Sequence, residues 1–218
     1  PTSLVPVMMH KGHMTHRISV EGKSGHSSKP SLGVNAIEIM YQVIGKLIAL
    51  QEQFNLNYKN EAFDVPAPTL NMGAIKGGDN ANRICGHCDL DLDFRSLPGM
   101  NDDEILHLLS ESLKPLAEKY PGRISFKELH SSSPSFEQEK HTDHKECFVS
   151  IAEEISGHAC CAVNYATEAP FIQQLGCQTL VLGPGSINQA HQPNEFLAHD
   201  EIDKTDRLLV AMIQRYCL

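Results

Sequence analysis

The sequence lacks an excess of positive charge and any long run of apolar residues. It contains 18 lysines and arginines against 27 aspartates and glutamates, which gives a formal net charge of −9 at pH 7. Nucleic acids and anionic membranes are bound by clustered basic residues, so an acidic chain without a basic run is a poor candidate for either. No stretch approaches the roughly 18 apolar residues of a membrane-spanning helix. These absences predict an ordinary globular protein.

The start of the chain lacks the features of a secretory leader. The first residue is Pro1, and the residues after it contain neither a basic segment nor a small-residue cleavage site. We interpret Pro1 as an internal start and expect the chain to be a fragment. The seven cysteines are odd in number and unevenly spaced. That pattern favours reduced thiols in the cytoplasm over a disulfide framework.

The first part of the chain alternates between strand and helix periodicity. Apolar residues recur at every second position in the strands and at three- and four-residue spacing in the helices. The predicted elements are a strand at 14–20, a helix at 34–53, strands at 69–75 and 84–94, a helix after Asn101 that is kinked or tightened at Pro115, and a strand at 123–129. This order is the ferredoxin-like βαββαβ arrangement, with two helices on one face of a four-stranded antiparallel sheet.

A serine-rich linker at 131–135 separates this unit from the rest. Beyond it we predict a helix near 142–156, strands near 160–163 and 179–182, and a helix near 200–216 whose buried stripe is Ile202, Leu209, Met212, Ile213 and Tyr216. Alternating helices and strands indicate α/β packing. About 85 residues make a thin core, so we expect sequence upstream of Pro1 to complete this sheet. The predicted divisions are 1–13, 14–131 and 132–218.

The motif Cys85-Gly86-His87-Cys88 has the spacing of thiol-exchange sites. Such sites place the first cysteine at a helix N-terminus, which lowers its pKa. Here the motif leads into a predicted strand, where residues three apart point to opposite faces. A second Cys or His pair at zinc-finger spacing is also missing from the sequence. We therefore interpret both as ordinary strand cysteines, with thiol redox chemistry and a structural metal as the alternatives.

Two of the twelve histidines stand apart from the rest. His191 lies in the loop Gly183–Pro193, directly after a predicted apolar strand. Ligand sites in open α/β sheets lie at such strand ends, and glycine-rich backbone can present free N–H groups to a carboxylate. His26 lies in an exposed turn rich in glycine and serine. The others are interpreted as surface or structural residues, among them His10, His13, His16, His107, His141 and His144.

Several of these segments together resemble the M20 metallopeptidase family. They are the turn Gly22–Pro30, the strand Thr69–Gly73 with Gly77, Gly78 and Asn82, the strand end Asp93–Arg95, and the loop Gly183–Pro193. The segments Gly33–Glu38, Asn164–Pro170 and Gly185–Pro193 are similar in particular to family members that deacetylate N2-acetyl-L-ornithine in arginine biosynthesis. The resemblance covers nearly the whole chain.

The resemblance implies a ferredoxin-like dimerisation domain inserted before the C-terminal part of an α/β zinc-hydrolase domain, in a cytoplasmic homodimer. It implies two zinc ions per full-length subunit, for which Co2+ may substitute, and a small N-acetylated amino acid as substrate. Paired zinc ions lower the pKa of a bound water toward neutrality and polarise the amide carbonyl.

The resemblance also assigns roles to single residues. His191 matches the last metal ligand, and His26 matches the catalytic histidine that reaches into the other subunit's site and polarises the scissile carbonyl. Arg95 and Asn82 match residues that hold the substrate carboxylate, assisted by the backbone of Gly183, Gly185 and Ser186. The structural alternative for Arg95 is a surface ion pair with a neighbouring acid, and for Asn82 it is a turn position.

Other expectations concern what the chain lacks and which substrate it would accept. The family's remaining metal ligands and its catalytic glutamate lie upstream of Pro1, and one ligand cannot hold a dinuclear site. We therefore expect the 218 residues alone to be inactive.

Glu168 is an acid that could meet a cationic ornithine side chain, or simply a surface acid. A desuccinylase or aminoacylase is an alternative, as is a dimerisation or regulatory module without catalysis.

Overall fold

A computed structural model describes residues 1–139 and 147–218, and these residues form two compact units. One unit consists of residues 11–61 and 65–134, and we call it the ferredoxin-like unit. The other consists of residues 1–10, 62–64 and 135–218, and we call it the terminal unit. Within the described residues, no helix is long and apolar enough to cross a membrane.

The ferredoxin-like unit has the predicted βαββαβ order. Its elements are β2 (His13–Glu21), β3 (Gly25–His26), α1 (Ala36–Asn57), β4 (Thr69–Gly77), β5 (Arg83–Ile84), β6 (His87–Arg95), α2 (Asp102–Lys119) and β7 (Ile124–Ser133), preceded along the chain by β1 (Val7–His10) of the terminal unit. The four long strands form an antiparallel sheet in the order β4-β6-β2-β7. The fold predicted from periodicity is therefore confirmed.

The central pair of strands, β2 and β6, forms the core of this sheet. Eight consecutive residue pairs join them without a register shift, from Met14 with Phe94 to Glu21 with His87. Alternation puts the even-numbered side chains of both strands on the face that the helices cover, where Ile18 and Val20 are fully buried. The odd-numbered side chains lie on the other face and are charged or polar. The alternation in the sequence therefore predicted both faces correctly.

Helix α1 begins at Ala36, two residues after the predicted start, where the Asn35 side chain caps it by accepting a hydrogen bond from the N–H of Ile37. The helix has two apolar faces. One is buried and includes Met40, Val43 and Leu47, whereas Ile37, Tyr41 and Ile48 are exposed. The sequence predicted one amphipathic helix face that contains residues of both faces. Apolar spacing cannot distinguish a face that packs on the helix's own sheet from one that does not.

Helix α2 follows the prediction more closely. The Asn101 side chain accepts a hydrogen bond from the N–H of Asp103, and three acidic residues occupy the first turn, where the helix dipole favours them. The helix continues through Pro115 to Lys119. In β7, Phe126 faces the helix side as expected, but 41% of it is exposed and its ring stacks on His16 at a centroid distance of 4.6 Å.

Ion pairs cover the polar face of the central strands. Arg17 of β2 binds Asp91 of β6 through two hydrogen bonds of 2.6 and 2.8 Å, and it lies 3.7 Å from Asp89. At the end of the pairing, His87 lies between two carboxylates, with Nε2 2.9 Å from Asp89 and Nδ1 2.8 Å from Glu21. The hydrogen bond to Asp89, followed by that to Glu21, holds the pKa of His87 above its usual value.

The described residues of the terminal unit form a small mixed sheet and three helices. Its sheet has the order β8-β1-β9, where β8 is Phe136–Glu137 and β9 is Cys161–Val163. The helices are α3 (Phe148–Ser156), α4 (Ala169–Gln173) and α5 (His199–Tyr216). The predicted helix near 142–156 is present as α3 from Phe148, and the part of the prediction at 142–146 lies outside the described residues.

Two predictions for the terminal unit were wrong. Residues 179–182 do not form a strand but make a single bridge from Val181 to Val7, because β1 has only four residues and β8 already pairs with two of them. The stripe predicted to be buried on α5 is largely exposed: Ile202, Leu209, Ile213 and Tyr216 are between 38% and 53% exposed, and Leu208 is the buried residue. The short sheet of this unit is too small to cover that face.

The raised pKa of His87 predicts pH-dependent stability. A histidine with a raised folded-state pKa stabilises the protein below its unfolded value of about 6.5, and this contribution is lost as the pH rises through the folded-state pKa. We expect His87→Gln to lower the free energy of unfolding by up to about 1 kcal/mol at pH values near 5.5, and by less near pH 8.5. Urea unfolding at both pH values measures the change in the free energy of unfolding. The control is His107→Gln, at an exposed position of α2. An equal loss at both pH values would contradict a charged His87.

Candidate functional site

A short two-stranded arm holds two of the predicted site residues. Strands β3 and β5 pair antiparallel, with Gly25 opposite Ile84 and His26 opposite Arg83. The N–H of Ser27 then donates to the carbonyl of Asn82 at 3.0 Å. His26 and Asn82 therefore lie on the two facing segments of the arm, with His26 opposite Arg83 and Asn82 opposite Ser27. The sequence was interpreted as one strand from 84 to 94, so this arm was missed.

Close backbone packing fixes the base of the arm. The N–H of Gly22 donates to the carbonyl of Gly86 at 2.9 Å. A Cβ at Gly22 would lie 2.4 Å from the carbonyl oxygen of Val34 and 2.6 Å from that of Cys85, and neither backbone atom can move aside. Only glycine fits there. The arm therefore leaves the sheet at the end where β6 begins.

The His26 imidazole is exposed, and its Nδ1 is in contact with Ser28. The Ser28 backbone nitrogen lies 3.2 Å from Nδ1, and its hydroxyl oxygen lies 2.8 Å from the same atom. Asn82 lies in the turn just before β5, where its N–H donates to the Asn80 side chain at 3.2 Å. The turn position considered for Asn82 is thus what the structure shows, and its side chain remains exposed.

Arg95 lies at the opposite end of the sheet. It is the last residue of β6, nine positions beyond Gly86, a distance of roughly 30 Å along an extended strand. Its guanidinium binds the Asp93 carboxylate through Nε at 2.9 Å and Nη2 at 3.1 Å. The ion pair considered as the alternative for Arg95 is therefore present. The pairing uses one edge of the guanidinium, and 30% of the side chain is exposed.

Glu168 is exposed and immediately precedes α4 in the terminal unit. The turn before it is anchored on His10, a fully buried residue of β1. The Thr167 hydroxyl lies 2.9 Å from His10 Nε2 and accepts a hydrogen bond from the N–H of Ala169 at 3.1 Å. No spacing in the sequence distinguishes His10 from an ordinary strand histidine, which is why its partner was not predicted.

The loop from Gly183 to His191 is tied to the first residues of the chain and to α5. The N–H of Gly183 donates to the Thr2 hydroxyl at 3.2 Å, and the N–H of Gly185 donates to the Glu201 carboxylate. Two N–H groups that were expected to be free for a substrate carboxylate are therefore engaged within the protein. The Ser186 hydroxyl accepts from the N–H of Asn188 at 3.2 Å, and a 3-10 turn follows.

His191 ends this loop in an unusual backbone conformation. Its φ is 63°, in the left-handed region that few residues other than glycine adopt. Its side chain is exposed. Across residues 1–139 and 147–218, no group of three or more His, Cys, Asp or Glu side chains is positioned to hold a metal ion. The residues described here therefore do not by themselves fit a dinuclear metal site.

The cysteines of the Cys-Gly-His-Cys motif are buried free thiols. Cys85 lies in the connection between β5 and β6, where its thiol donates to the carbonyl of His87 at 3.1 Å. Cys88 lies in β6 and faces the helices, and burial raises its pKa. A raised pKa lowers the thiolate fraction that thiol exchange requires. These positions agree with ordinary structural cysteines.

Comparison with curated proteins finds relatives across the whole chain. The chain is 53% identical over 217 residues to the acetylornithine deacetylase of Vibrio vulnificus (strain CMCP6) and 50% identical to that of Klebsiella pneumoniae (strain 342). Both matches cover 100% of this chain but only 56% and 55% of the relative. The chain thus spans about half the length of the curated relatives it matches.

Comparison with solved structures finds the same fold at lower identity. The aminopeptidase PepT of Bacillus cereus ATCC 10987 matches with a TM-score of 0.70 at 22% identity, over 99% of this chain and 54% of that one. The M20 family metallo-carboxypeptidase Sso-CP2 of Sulfolobus solfataricus matches with a TM-score of 0.68 at 16% identity, over 97% and 60%. At these identities the matches establish the fold.

Family assignment rests on a match that covers more than half of the chain. Residues 8–121 match the peptidase dimerisation domain of the M20 peptidases. This segment contains the helices and most of the sheet of the ferredoxin-like unit, with the arm between them. Taken with the fold and the relatives, the match confirms the resemblance seen in the sequence: the chain belongs to the M20 family and carries its peptidase dimerisation domain.

Proposed function

We propose that this chain is part of an M20 amidohydrolase that releases acetate from N2-acetyl-L-ornithine. The observation that carries the proposal is the 53% identity to an acetylornithine deacetylase over the full length of the chain. On this proposal the reaction gives L-ornithine for arginine biosynthesis and takes place in the cytoplasm. The exposed His26, Asn82 and Arg95 side chains are the groups through which this chain would meet the substrate.

The chain's contribution to a metal centre is a single residue. We propose that His191 is one ligand of a site for two zinc ions, or for Co2+ in their place. The other ligands would come from outside the described residues, which do not hold such a site alone. The strained backbone at position 191 supports a functional role, because left-handed conformations of residues other than glycine concentrate at such sites.

Substrate positioning is the proposed role of the remaining site residues. Arg95 offers a planar guanidinium that is already held by Asp93 and can bind a carboxylate with its free edge. Asn82 would assist from the arm. The loop from Gly183 would contribute through Ser186, since Gly183 and Gly185 already donate their N–H groups within the protein. His26 would donate a hydrogen bond to the scissile carbonyl oxygen.

The geometry of the ferredoxin-like unit supports a role for a second copy. His26 on the arm and Arg95 lie at opposite ends of the sheet, roughly 30 Å apart by the length of β6. A small acylated amino acid is much shorter than this distance. If both side chains contact the same substrate, they must come from two different copies. We therefore propose that each site is completed by the arm of a second subunit.

The surface proposed to join the two copies combines β4 with the outer face of α1. Only one side of β4 is paired, with β6, so its other edge is open within the described part of the sheet. On α1, Ile37, Tyr41 and Ile48 share one face and are 48%, 77% and 48% exposed. Ile75 of β4 is 56% exposed on the same side of the sheet as the helices. We call these residues and the open edge the β4–α1 face.

A second copy of the chain fits this face better than an unrelated partner. Two β4 edges related by a twofold axis can pair antiparallel, which extends the sheet across the interface. Gly45 lies in the middle of the exposed helix face, and a Cβ there would meet no atom within 4 Å. Glycine destabilises a helix interior by about 0.5–1 kcal/mol relative to alanine, so its presence favours close approach of another helix.

Two alternatives differ in the reaction. A desuccinylase or an aminoacylase of the same family would use the same positioning residues with another acyl group or side chain. A dimerisation or regulatory module without catalysis would have no use for the strained His191 loop. The high identity to acetylornithine deacetylases favours the first proposal over both.

The proposed reaction predicts distinct losses from two histidine substitutions. In a longer gene product that supplies the other metal ligands, His26→Ala should lower kcat by about 100- to 1000-fold, the usual effect of removing an oxyanion donor. His191→Ala should lower activity by at least about 100-fold and also reduce bound zinc, which His26→Ala should not. Acetate release and metal content measure these effects, and the 218-residue chain alone should be inactive.

The control for both variants is His199→Ala, which removes an exposed histidine on α5 of the terminal unit. It should retain full activity and metal content. Zinc-dependent deacetylation by the 218 residues alone, or unchanged zinc content in His191→Ala, would contradict the proposed metal role. Faster hydrolysis of an N-succinylated or neutral N-acetylated amino acid would favour the corresponding alternative.

Glu168 is predicted to select the substrate side chain. If its carboxylate meets the ornithine ammonium group, Glu168→Gln should raise KM for N2-acetyl-L-ornithine by about fivefold, since one exposed charge-assisted contact contributes about 1 kcal/mol. KM for a neutral N-acetylated amino acid should stay the same. Glu154→Gln, on α3 in the same unit, is the control. Equal effects on both substrates would leave Glu168 as a surface acid.

The β4–α1 face predicts how substitution changes the oligomeric state. Tyr41→Lys places a charge in the centre of the exposed helix face and should weaken dimer formation by about 30-fold or more, as expected for a buried aromatic at an interface. Sedimentation equilibrium of the 218-residue chain measures the dissociation constant. Ser110→Lys, at an exposed position of α2, is the matched control and should leave the dissociation constant unchanged. A dimer that tolerates Tyr41→Lys would require a different interface.

A further inference from the structure

The contacts of His26 with Ser28 determine which ring nitrogen carries the proton. Both contacts are made to Nδ1, from the Ser28 backbone nitrogen at 3.2 Å and from its hydroxyl oxygen at 2.8 Å. A backbone N–H can only donate a hydrogen bond. Nδ1 must therefore accept with its lone pair. In the neutral imidazole the single proton then lies on Nε2.

We infer that Ser28 is a positioning residue that holds His26 in the Nε2–H tautomer and so makes its exposed nitrogen a hydrogen-bond donor. The tautomer follows from the contacts alone. Its use in catalysis rests on the proposed function, in which His26 faces the scissile carbonyl. The hydroxyl of Ser28 is free to rotate and donates to the same lone pair, so both Ser28 groups favour the same tautomer.

The choice of tautomer decides what His26 can do. With the proton on Nε2, the exposed side of the ring donates to an oxygen that carries partial or full negative charge, such as a carbonyl oxygen or the oxyanion formed from it. With the proton on Nδ1, the ring would present a lone pair to that oxygen and repel it. A donor fixed before the substrate arrives requires no reorganisation during the reaction, which is the basis of electrostatic stabilisation by enzymes.

The backbone around His26 keeps this arrangement in place. The carbonyl of His26 accepts from the N–H of Lys29 at 3.0 Å, and the N–H of Ser27 donates to Asn82 on the neighbouring strand. These bonds hold the turn that brings the Ser28 N–H against the ring. All of them lie within the arm of one copy. The tautomer is therefore set before any substrate or second subunit is present.

Nuclear magnetic resonance of the 218-residue chain with 15N-labelled histidine tests the inference directly. The spectra are recorded at the alkaline end of a pH series, where the ring signals of His26 no longer change with pH. Two-bond proton–nitrogen spectra then report the protonated nitrogen, and His26 is assigned by the signals lost in His26→Gln. We expect His26 to carry its proton on Nε2. Its ratio of the Nε2–H tautomer to the Nδ1–H tautomer should be higher than that of His107, which is exposed on α2.

Two serine variants test the role of the side chain. Ser28→Ala keeps the backbone N–H but removes the hydroxyl, so the ratio of Nε2–H to Nδ1–H in His26 should fall by about fivefold. Ser27→Ala, at the neighbouring position, should leave it unchanged. A proton on Nδ1, or a ratio equal to that of His107, would overturn the inference. An unchanged ratio in Ser28→Ala would overturn the role of the Ser28 hydroxyl.

Kinetics of the longer gene product separate this inference from the proposed function. A glutamine amide nitrogen reaches the position of Nε2, whereas an asparagine amide nitrogen reaches that of Nδ1. We expect His26→Gln to retain about tenfold more kcat than His26→Asn, with KM changed equally in both. If both variants were as active as the unaltered enzyme while the tautomer was as expected, the catalytic role of His26 would be wrong and the tautomer assignment would stand.

Discussion

The pairing of β2 with β6 is the constraint on which the rest of the ferredoxin-like unit depends. Eight residue pairs align without a shift, so the apolar side chains of both strands face the helices together. A slip of one residue would place the three aspartates of β6 in the core and its leucines in water. Ion pairs from Arg17 to Asp91 and from Glu21 to His87 join the two strands and stabilise the same register on the other face.

This register also sets how far His26 lies from Arg95. Where β6 begins, Gly86 accepts the hydrogen bond that holds the base of the arm, and His26 lies beyond it. Where β6 ends, Arg95 is paired with Asp93. The length of one strand therefore determines how far apart the histidine and the arginine lie. This separation is the reason why the proposed function assigns the two side chains at one substrate to two different copies.

The sequence was sufficient to predict the sheet but not the arm or the exposed faces. Alternation at 88–94 and the cap at Asn101 depend on local chemistry, and both were correct. The break between β5 and β6 was missed because it depends on a tertiary contact: a Cβ at Gly86 would lie 2.3 Å from the Ser24 hydroxyl. Apolar spacing on α1 and α5 identified apolar helix faces, but it cannot show which of these faces are buried within the chain itself. His10 was missed for a similar reason, since its partner Thr167 lies 157 residues away.

The arm and the loop before His191 achieve rigidity by different means. The arm is held by bonds within one short segment and by a glycine that no other residue can replace, so its histidine is oriented independently of the rest of the protein. The loop before His191 instead takes its support from distant residues, Thr2 and Glu201. A displacement of Thr2 or of α5 would move the loop before His191, whereas the contacts that orient His26 lie within the arm itself.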